Sequence, residues 1–162
     1  MATVTKTGHV NNAIRFTEEI GCIYVGIGVN GVSNDDDAFT NLYGVKRAEV
    51  VSLARLIDPT ENFLGSYVEY GGNKYELISR GEAYNKNAHF VYVKATILPD
   101  ELQGVKYDTA GILTNPTFSP NVTADIVPSE SIEKPGDREM YDSRASIDRS
   151  TIKITEQFII EA

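Results

Sequence analysis

The stretch Cys22-Ile23-Tyr24-Val25-Gly26-Ile27-Gly28-Val29 decides the fold class. Apolar side chains occupy every second position from Ile23 to Val29, and a tyrosine and two glycines occupy the positions between them. Because side chains alternate across a strand, this period of two predicts a core β-strand. The glycines leave room for something to pack closely on the second face, whether backbone, an aromatic ring or a neighbouring subunit.

An amphipathic helix is predicted immediately before this strand. Apolar residues recur at helical spacing between Val10 and Ile20, and polar residues take the opposite side. Gly21 readily adopts the left-handed conformation that a helix C-terminus favours, so the helix is expected to end there. The N-terminal segment and helix therefore cover residues 1–21.

Core strands are predicted over residues 22–117. Residues 30–43 are rich in Gly, Ser, Asn and Asp and are expected to form a surface loop. Residues 45–57 fit both helical and strand periodicity, and a strand is favoured. The remaining predicted elements are a hairpin of strands 66–70 and 74–78 around Gly71-Gly72-Asn73, a helical turn at 81–88, and strands at 89–98 and 105–114, the last ended by Asn115-Pro116.

The C-terminal part divides into an arm and a closing strand. Residues 118–149 hold several prolines among polar residues and predict an extended arm that lies on other surfaces. Residues 150–162 alternate again, with Glu156 as the only charge among the inward positions. The inward face is predicted to hold Ile152, Ile154, Phe158 and Ile160, and the other face Lys153, Thr155, Gln157 and Ile159. The fold class predicted is mainly β, an antiparallel β-sandwich with a short N-terminal α-helix and a long irregular arm, in one domain over residues 1–162.

The bulk composition fits a single soluble domain. A length of 162 residues with 41% hydrophobic and 23% charged residues is ordinary for a folded protein. The formal charge of −8 argues against nucleic-acid partners, because phosphate binding needs clustered Lys and Arg. No apolar run reaches the ~18 residues of a membrane helix. The first residues lack the apolar core of a secretory signal, which predicts folding in the cytoplasm.

No catalytic constellation is recognisable, so the chain is predicted to be no enzyme and to use no cofactor. His9 and His89 have no Cys, Asp or His at metal-ligand spacing, and structural roles are assigned to both. No serine lies in a Gly-x-Ser-x-Gly turn. Gly26-Ile27-Gly28 lacks the helix that follows a dinucleotide-binding glycine turn. Cys22 is the single cysteine, cannot form an internal disulfide and is expected to be a buried thiol.

The run Asp35-Asp36-Asp37 is the most site-like feature. Clustered hard oxygens suit calcium, and Asn34 could add a carbonyl. The run lacks the ligand spacing, central glycine and terminal glutamate of an EF-hand, so a solvated acidic loop competes with a calcium site. With an ion held there and tyrosines stacked on sugar rings, the chain would be a calcium-dependent carbohydrate-binding module.

Two stretches carry a family resemblance. The first joins Thr17-Glu18-Glu19-Ile20-Gly21 to the glycine strand, the Asp-rich loop and Gly44-Val45-Lys46-Arg47. The second includes Tyr107-Asp108-Thr109-Ala110-Gly111-Ile112-Leu113-Thr114-Asn115-Pro116, Gly136-Asp137-Arg138-Glu139-Met140-Tyr141, Arg144 and Thr155-Glu156-Gln157-Phe158. In these motifs the chain resembles the baseplate wedge-type structural proteins of contractile-tailed bacteriophages.

The resemblance implies a closing strand that completes a β-sandwich and a structural protein of the virion tail, made in the host bacterial cytoplasm. It also implies a homo-oligomer, dimeric or repeated around a sixfold axis, with other baseplate or fibre-attachment proteins as partners. A neck, collar or fibre-connector protein remains an alternative. The composition agrees, because Tyr67, Tyr70, Tyr75, Tyr84 and Tyr92 are suited to interfaces.

Overall fold

The computed structural model describes residues 2–18, 23–32, 39–99, 101–102, 106–120, 122, 125–148 and 153–162. Within them lie helix α1 (Lys6–Glu18) and strands β1 (Ile23–Val32), β2 (Phe39–Arg47), β3 (Val50–Leu56), β4 (Val68–Tyr70), β5 (Asn73–Ile78), β6 (Phe90–Ile97), β7 (Lys106–Thr114), β8 (Thr117–Phe118), β9 (Ile126–Pro128), β10 (Ile132–Lys134), β11 (Asp137–Asp148) and β12 (Ile154–Glu161). Short 3-10 helices lie at Arg80–Glu82 and Ser129–Ser131. The predicted mainly antiparallel β fold with a short N-terminal helix is confirmed.

The chain divides into two compact units. The first comprises residues 1–20, 50–93 and 157–162, and the second comprises residues 21–49 and 94–156. Strands β6 and β12 each contribute residues to both units. The single-domain organisation stays a prediction.

Helix α1 begins at Lys6 because Thr5 caps it. The backbone N–H of Gly8 donates to Oγ1 of Thr5 at 3.0 Å, which satisfies one of the unpaired donors at the helix start. The helix buries Val10, Ala13, Ile14 and Phe16 and packs against β3. The predicted helix is confirmed, although its first turns precede the apolar periodicity that revealed it. The predicted stop at Gly21 lies outside the described residues.

A hairpin closes one edge of a five-stranded sheet with the order β12-β6-β3-β5-β4. Strands β4 and β5 meet at Tyr70 and Asn73 across a two-residue turn. Gly71 and Gly72 have φ angles of 58° and 82°, a left-handed conformation that glycine adopts without a Cβ penalty. The predicted hairpin is confirmed for this physical reason.

The same sheet carries an aromatic cluster in the first unit. Its buried members are Ala54, Tyr75, Phe90, Tyr92 and Ile159, with Val50, Val68 and Tyr70 packed against them. Gln157 on β12 donates its side-chain amide to the main-chain oxygen of Glu69 on β4 at 3.1 Å. Its Oε1 accepts a hydrogen bond from the Tyr92 hydroxyl at 3.0 Å. Strands β4 and β12 are the two edge strands of this sheet, so the Gln157 side chain links its opposite edges.

Strand β1 lies at the centre of the other five-stranded sheet, whose order is β11-β7-β1-β2-β9. Val25 and Ile27 are fully buried, as the alternation predicts. A register shift between Ile27 and Gly28 brings β2 so close that a Cβ on Gly28 would overlap the main-chain oxygen of Asn41. The predicted close approach at the glycine face is confirmed, and the approaching group is backbone.

The predicted surface loop over residues 30–43 was wrong where the structure describes it. Strand β1 continues to Val32, and β2 begins at Phe39, directly opposite Val32. Pairing between two long strands outweighs the polar composition, because each added residue gains ladder hydrogen bonds. The favoured strand over residues 45–57 is confirmed as the end of β2 followed by β3, with Ala48-Glu49 between them.

The predicted long irregular arm over residues 118–149 was also wrong. Residues 137–148 form β11, the longest strand, which pairs with β7 from Asp137 opposite Thr114 to Asp148 opposite Lys106. An edge strand needs a partner strand on one side only, so a sequence rich in charged residues is tolerated there. The composition predicted irregular structure because composition carries no information on pairing with a distant strand.

The part of that segment before β11 covers its own sheet. Phe118, Val122 and Ile132 pack against a buried cluster that includes Tyr24 and Leu113. The rings of Tyr24 and Phe118 meet edge to face with centroids 5.3 Å apart. Strands β8 and β10 pair as a small two-stranded sheet. The predicted arm was expected to lie on other surfaces, and these residues of it lie on the second unit.

The predicted closing strand is confirmed as β12, which lies beside β6 within the same chain. Phe158 and Glu156 are buried, as the alternation predicts. The prediction was wrong for Ile159, which is buried in the aromatic cluster although it was placed on the other face, and Ile160 is only partly buried. The Glu156 carboxylate accepts a 2.7 Å hydrogen bond from the hydroxyl of buried Tyr107. This bond explains why a carboxylate is tolerated among apolar neighbours. Residues 150–152 lie outside the described part of the chain.

Candidate functional site

The acidic run Asp35-Asp36-Asp37 lies outside the described residues, and its calcium site stays a prediction. Among the residues that the structure does describe, no cluster of three or more His, Cys, Asp or Glu side chains is arranged to hold a metal ion. Cys22 also lies outside the described part. The candidate site must therefore be sought among surfaces.

The two histidines, distant in sequence, lie together in the first unit. His9 Nδ1 is 2.6 Å from the main-chain oxygen of Ala162, and the His9 and His89 ring centroids are 6.0 Å apart. His89 Nδ1 bonds the main-chain oxygen of Asn87 at 3.0 Å. These contacts tie α1 to the start of β6 and the end of β12. Their geometry fits the structural roles predicted, but sequence spacing gave no sign that they meet.

The loop that connects β3 to β4, here named loop 57–67 after its residue range, is held by several side-chain hydrogen bonds. Arg55 on β3 donates to Glu61 of the loop through Nη1 and Nη2 at 3.1 and 2.8 Å, and Nη2 also reaches Glu76 on β5 at 3.2 Å. Asp58 accepts from the backbone N–H and hydroxyl of Thr60 at 2.9 and 2.7 Å. The paired guanidinium fixes the loop to the sheet.

Aromatic contacts complete the loop's framework. The Arg55 guanidinium lies 5.5 Å from the centroid of the Phe63 ring, and Lys74 Nζ lies 4.7 Å from the centroid of the Tyr67 ring. Both distances fall within the range of favourable cation–π contact. Gly65 leaves the space that the Phe63 ring occupies, since a Cβ there would come within 2.8 Å of it.

This fixed framework presents apolar side chains outward. Leu64 at the tip of loop 57–67 is 89% exposed, and Tyr67 is 44% exposed. Beneath them the loop and the hairpin turn enclose a cleft of about 240 Å³, lined among others by Ile57, Phe63 and Asn73. A large apolar side chain that is exposed on an ordered loop is suited to anchor a protein interface, because little conformational entropy is lost when it binds.

The loop's carboxylates are ionised at neutral pH. Hydrogen bonds from Thr60 lower the pKa of Asp58, and the Arg55 guanidinium lowers the pKa of Glu61. On the neighbouring strand, the Lys86 ammonium and then Arg55 lower the pKa of Glu76 against the opposing effect of burial. The negative charge of Glu61 is paired with the positive charge of Arg55, and Lys74 adds a second cation beside Tyr67.

A second surface rich in charged side chains lies in the second unit. We name it the basic concavity: an open depression of about 460 Å³ lined by the cations Lys46, Arg47, Lys94 and Lys153, the acids Glu49 and Asp125, and Ala48, Thr96 and Leu98. Three of these cations lie in ion pairs: Lys46 with Glu101 at 2.6 Å, Arg47 with Asp125 at 3.6 Å and Lys94 with Glu49 at 3.7 Å. Leu98 is 43% exposed at this surface.

The predicted interface tyrosines divide into two groups. Tyr67 and Tyr84 are exposed, and their role at an interface stays a prediction. Tyr75 and Tyr92 belong instead to the buried aromatic cluster, and Tyr70 is partly buried against it. Tyr75 is a buried position between exposed and partly buried ones on β5, whereas β6 is buried at every position from Phe90 to Val93, so Tyr92 is covered as well.

Comparison with known proteins gives the family. A family described as "Baseplate wedge 3 tail fiber network component" matches residues 1–162, the entire chain. A protein named "Virion protein 3" from Enterococcus phage phiEF24C is similar at 26% identity over 171 residues, covering 99% of this chain and 94% of that protein. None of the described helices has the length and apolar character needed to span a membrane. This chain belongs to the family of baseplate wedge 3 tail fibre network components and is a structural protein of the phage virion.

Proposed function

We propose that the chain is a non-enzymatic connector of the baseplate, which self-associates and holds neighbouring tail proteins through loop 57–67. The observation that carries the proposal is the exposed Leu64 on a loop fixed by Arg55 and by two cation–π contacts. Exposed apolar side chains are common singly, but an ordered loop lowers the conformational entropy that is lost when such a side chain binds a partner.

The chemistry of the described side chains supports a binding role. His9 bonds the main-chain oxygen of Ala162 and His89 that of Asn87, so both histidines already serve the fold. Buried Glu156 is likewise engaged by Tyr107. The family's description as a tail fibre network component supports repeated protein contacts.

The experiment is co-expression of the chain with the other wedge and fibre-network proteins of its phage, followed by affinity purification. We expect Leu64→Asp to lose at least one co-purifying tail protein or further copies of the chain itself, because the change places a charge in the contact. Val4→Asp is the matched control, since Val4 is also an exposed apolar residue but lies before α1. Equal recovery of all partners by both variants would refute the role of this loop.

A further inference from the structure

We propose that the ion pair of Arg55 and Glu61, here called the latch, makes the order of loop 57–67 sensitive to acid. The latch holds the tip of the loop on the sheet at neutral pH, and uptake of a proton by Glu61 frees the tip while the sheet stays intact. This inference rests on the proposed function, because the latch regulates the same binding loop. It concerns the order of the loop itself and holds for any partner that binds there.

The latch is a bidentate ion pair between β3 and the loop. Both Nη atoms of Arg55 donate to the Glu61 carboxylate, at 3.1 and 2.8 Å. The Arg55 guanidinium lowers the pKa of Glu61, whereas the neighbouring charge of Asp58 opposes its ionisation. The contribution of the pair is therefore fully present above the ordinary glutamate pKa of about 4.3 and is lost as the pH falls through the lower pKa of the folded protein.

On the sheet, Arg55 keeps a second carboxylate partner when Glu61 leaves. Its Nη2 also donates to Glu76 on β5 at 3.2 Å, and Lys86 lies 2.9 Å from the same carboxylate. Lys86 in turn lies 3.2 Å from Glu82. Because Glu76 pairs with two cations, and Glu61 with Arg55 alone among the described residues, we expect Glu61 to take up a proton first. Arg55 is then not left as an unpaired charge, so the sheet has no reason to open.

The start of the loop is held by a backbone bond, which confines the release to the tip. The N–H of Ile57 donates to the main-chain oxygen of Lys74 on β5 at 2.9 Å, and this bond does not titrate. Within the tip, the N–H of Thr60 donates to the side chain of Asp58, and the N–H of Glu61 donates to the main-chain oxygen of Asp58, both at 2.9 Å. These two amide groups report whether the tip is ordered.

The latch bears on binding because it holds the residues beside Leu64. The Arg55 guanidinium lies 5.5 Å from the centroid of the Phe63 ring, and Phe63 directly precedes Leu64 in the chain. Once Glu61 is released, a partner that binds Leu64 must order the tip as well, and this ordering costs conformational entropy. Binding through the loop should therefore weaken in acid.

The test is hydrogen–deuterium exchange of the full-length chain, read by mass spectrometry near neutral pH and at pH ~3.5, with exchange times scaled for the chemical rate at each pH. Glu61→Gln keeps the size of the side chain and removes its charge. Glu69→Gln, at an exposed position on β4, is the matched control. Circular dichroism verifies the fold of each variant before exchange is measured.

At neutral pH the tip of Glu61→Gln should exchange roughly two- to fivefold faster than the wild-type tip, a factor typical of an exposed ion pair. In acid the wild-type tip should approach the rate of the variant, while β3 and β5 stay protected and Glu69→Gln follows the wild type. The inference is overturned if Glu61→Gln leaves the exchange of the tip at neutral pH unchanged, or if acid accelerates the tips of the wild type and Glu61→Gln by the same factor. Loss of protection in β3 and β5 together with the tip would also overturn it.

Co-purification with Leu64→Asp tests the proposed function separately. Loss of a partner by Leu64→Asp, alongside unchanged exchange in Glu61→Gln, would overturn the latch and leave the proposed function standing. Faster exchange in Glu61→Gln, alongside full recovery of all partners by Leu64→Asp, would establish the latch and refute the binding role of the loop.

Discussion

Gln157 links the two edge strands of the sheet in the first unit through its side chain. Its side chain bonds the Tyr92 hydroxyl and the Glu69 main-chain oxygen, and so joins edge strands β12 and β4. Neither bond can be read from the alternating pattern of the closing strand, which places position 157 on the less apolar face. The contacts of Gln157 depend on the tertiary structure, because Glu69 is distant from it in the sequence.

Gln157→Ala should destabilise the protein by about 1–2 kcal/mol, because two hydrogen bonds are lost in a partly buried setting. Urea denaturation followed by circular dichroism measures the change in free energy of unfolding. Thr117→Ala, at an exposed position of strand β8, is the control and should change that free energy little. Equal stability of the Gln157 variant and the control would show that the bridge between the sheet edges contributes nothing.

Gly28→Ala should be more severe, since the new methyl group would overlap the main-chain oxygen of Asn41 on β2. Overpacking a close backbone contact costs about 1–3 kcal/mol or more. Gly81→Ala is a suitable control, because its added Cβ would meet open space and its φ is not left-handed. Thermal unfolding of both variants distinguishes crowding from a general effect of replacing glycine, and similar melting temperatures would contradict the close approach seen here.

At the scale of elements, loop 57–67 and strand β5 are held by a charge network. Arg55 joins Glu61 and Glu76, and Lys86 joins Glu76 at 2.9 Å. The network links residues 31 positions apart at most, yet its geometry depends on β3 and β5 pairing with Arg55 opposite Glu76. The sequence shows the charges, whereas the register decides which of them meet.

The network predicts an acid-sensitive contribution to stability. Because Lys86 and Arg55 lower the pKa of Glu76 in the folded protein, its stabilisation is fully present above the unfolded pKa of about 4.3 and is lost as pH falls through the folded value. Glu76→Gln should therefore lower stability at neutral pH and reduce its fall in acid. Urea midpoints between neutral pH and pH ~3 measure this, with exposed Glu130→Gln as control. An unchanged pH profile for Glu76→Gln would refute the contribution.

We expect removal of strand β12 to abolish the folded state. It buries Phe158 and Ile159 completely or nearly so, and partly buries Ile154 and Ile160. Burial of such side chains contributes ~1.5–3 kcal/mol each, which together approaches the ~5–15 kcal/mol net stability of a typical domain. Truncation after Ser150 should give a chain without a cooperative thermal transition. A cooperative transition close to that of the full-length protein would contradict this expectation.

At the scale of the whole molecule, the family and the strand content were accessible from sequence, whereas the arrangement of surfaces was not. The matching family confirms the resemblance drawn from the glycine strand and the C-terminal motifs. No motif in the sequence predicted loop 57–67 or the basic concavity as a surface of interest. Leu64 is one leucine among many, and the cations of the concavity come from β2, β6 and the residue before β12.

Helix α1, the β4–β5 hairpin and strands β1, β6, β7 and β12 were predictable from the sequence, because alternation, helical spacing and a Gly-Gly turn act between near neighbours. Long-range pairing and packing instead make residues 39–43 part of β2, make residues 137–148 strand β11 and place Phe118 against Tyr24. Only the tertiary structure decided that Tyr75 and Tyr92 lie inside while Leu64 lies outside. The physical reason is that strand pairing and burial join residues far apart in the chain, so local composition underestimates order wherever a distant strand supplies the hydrogen bonds.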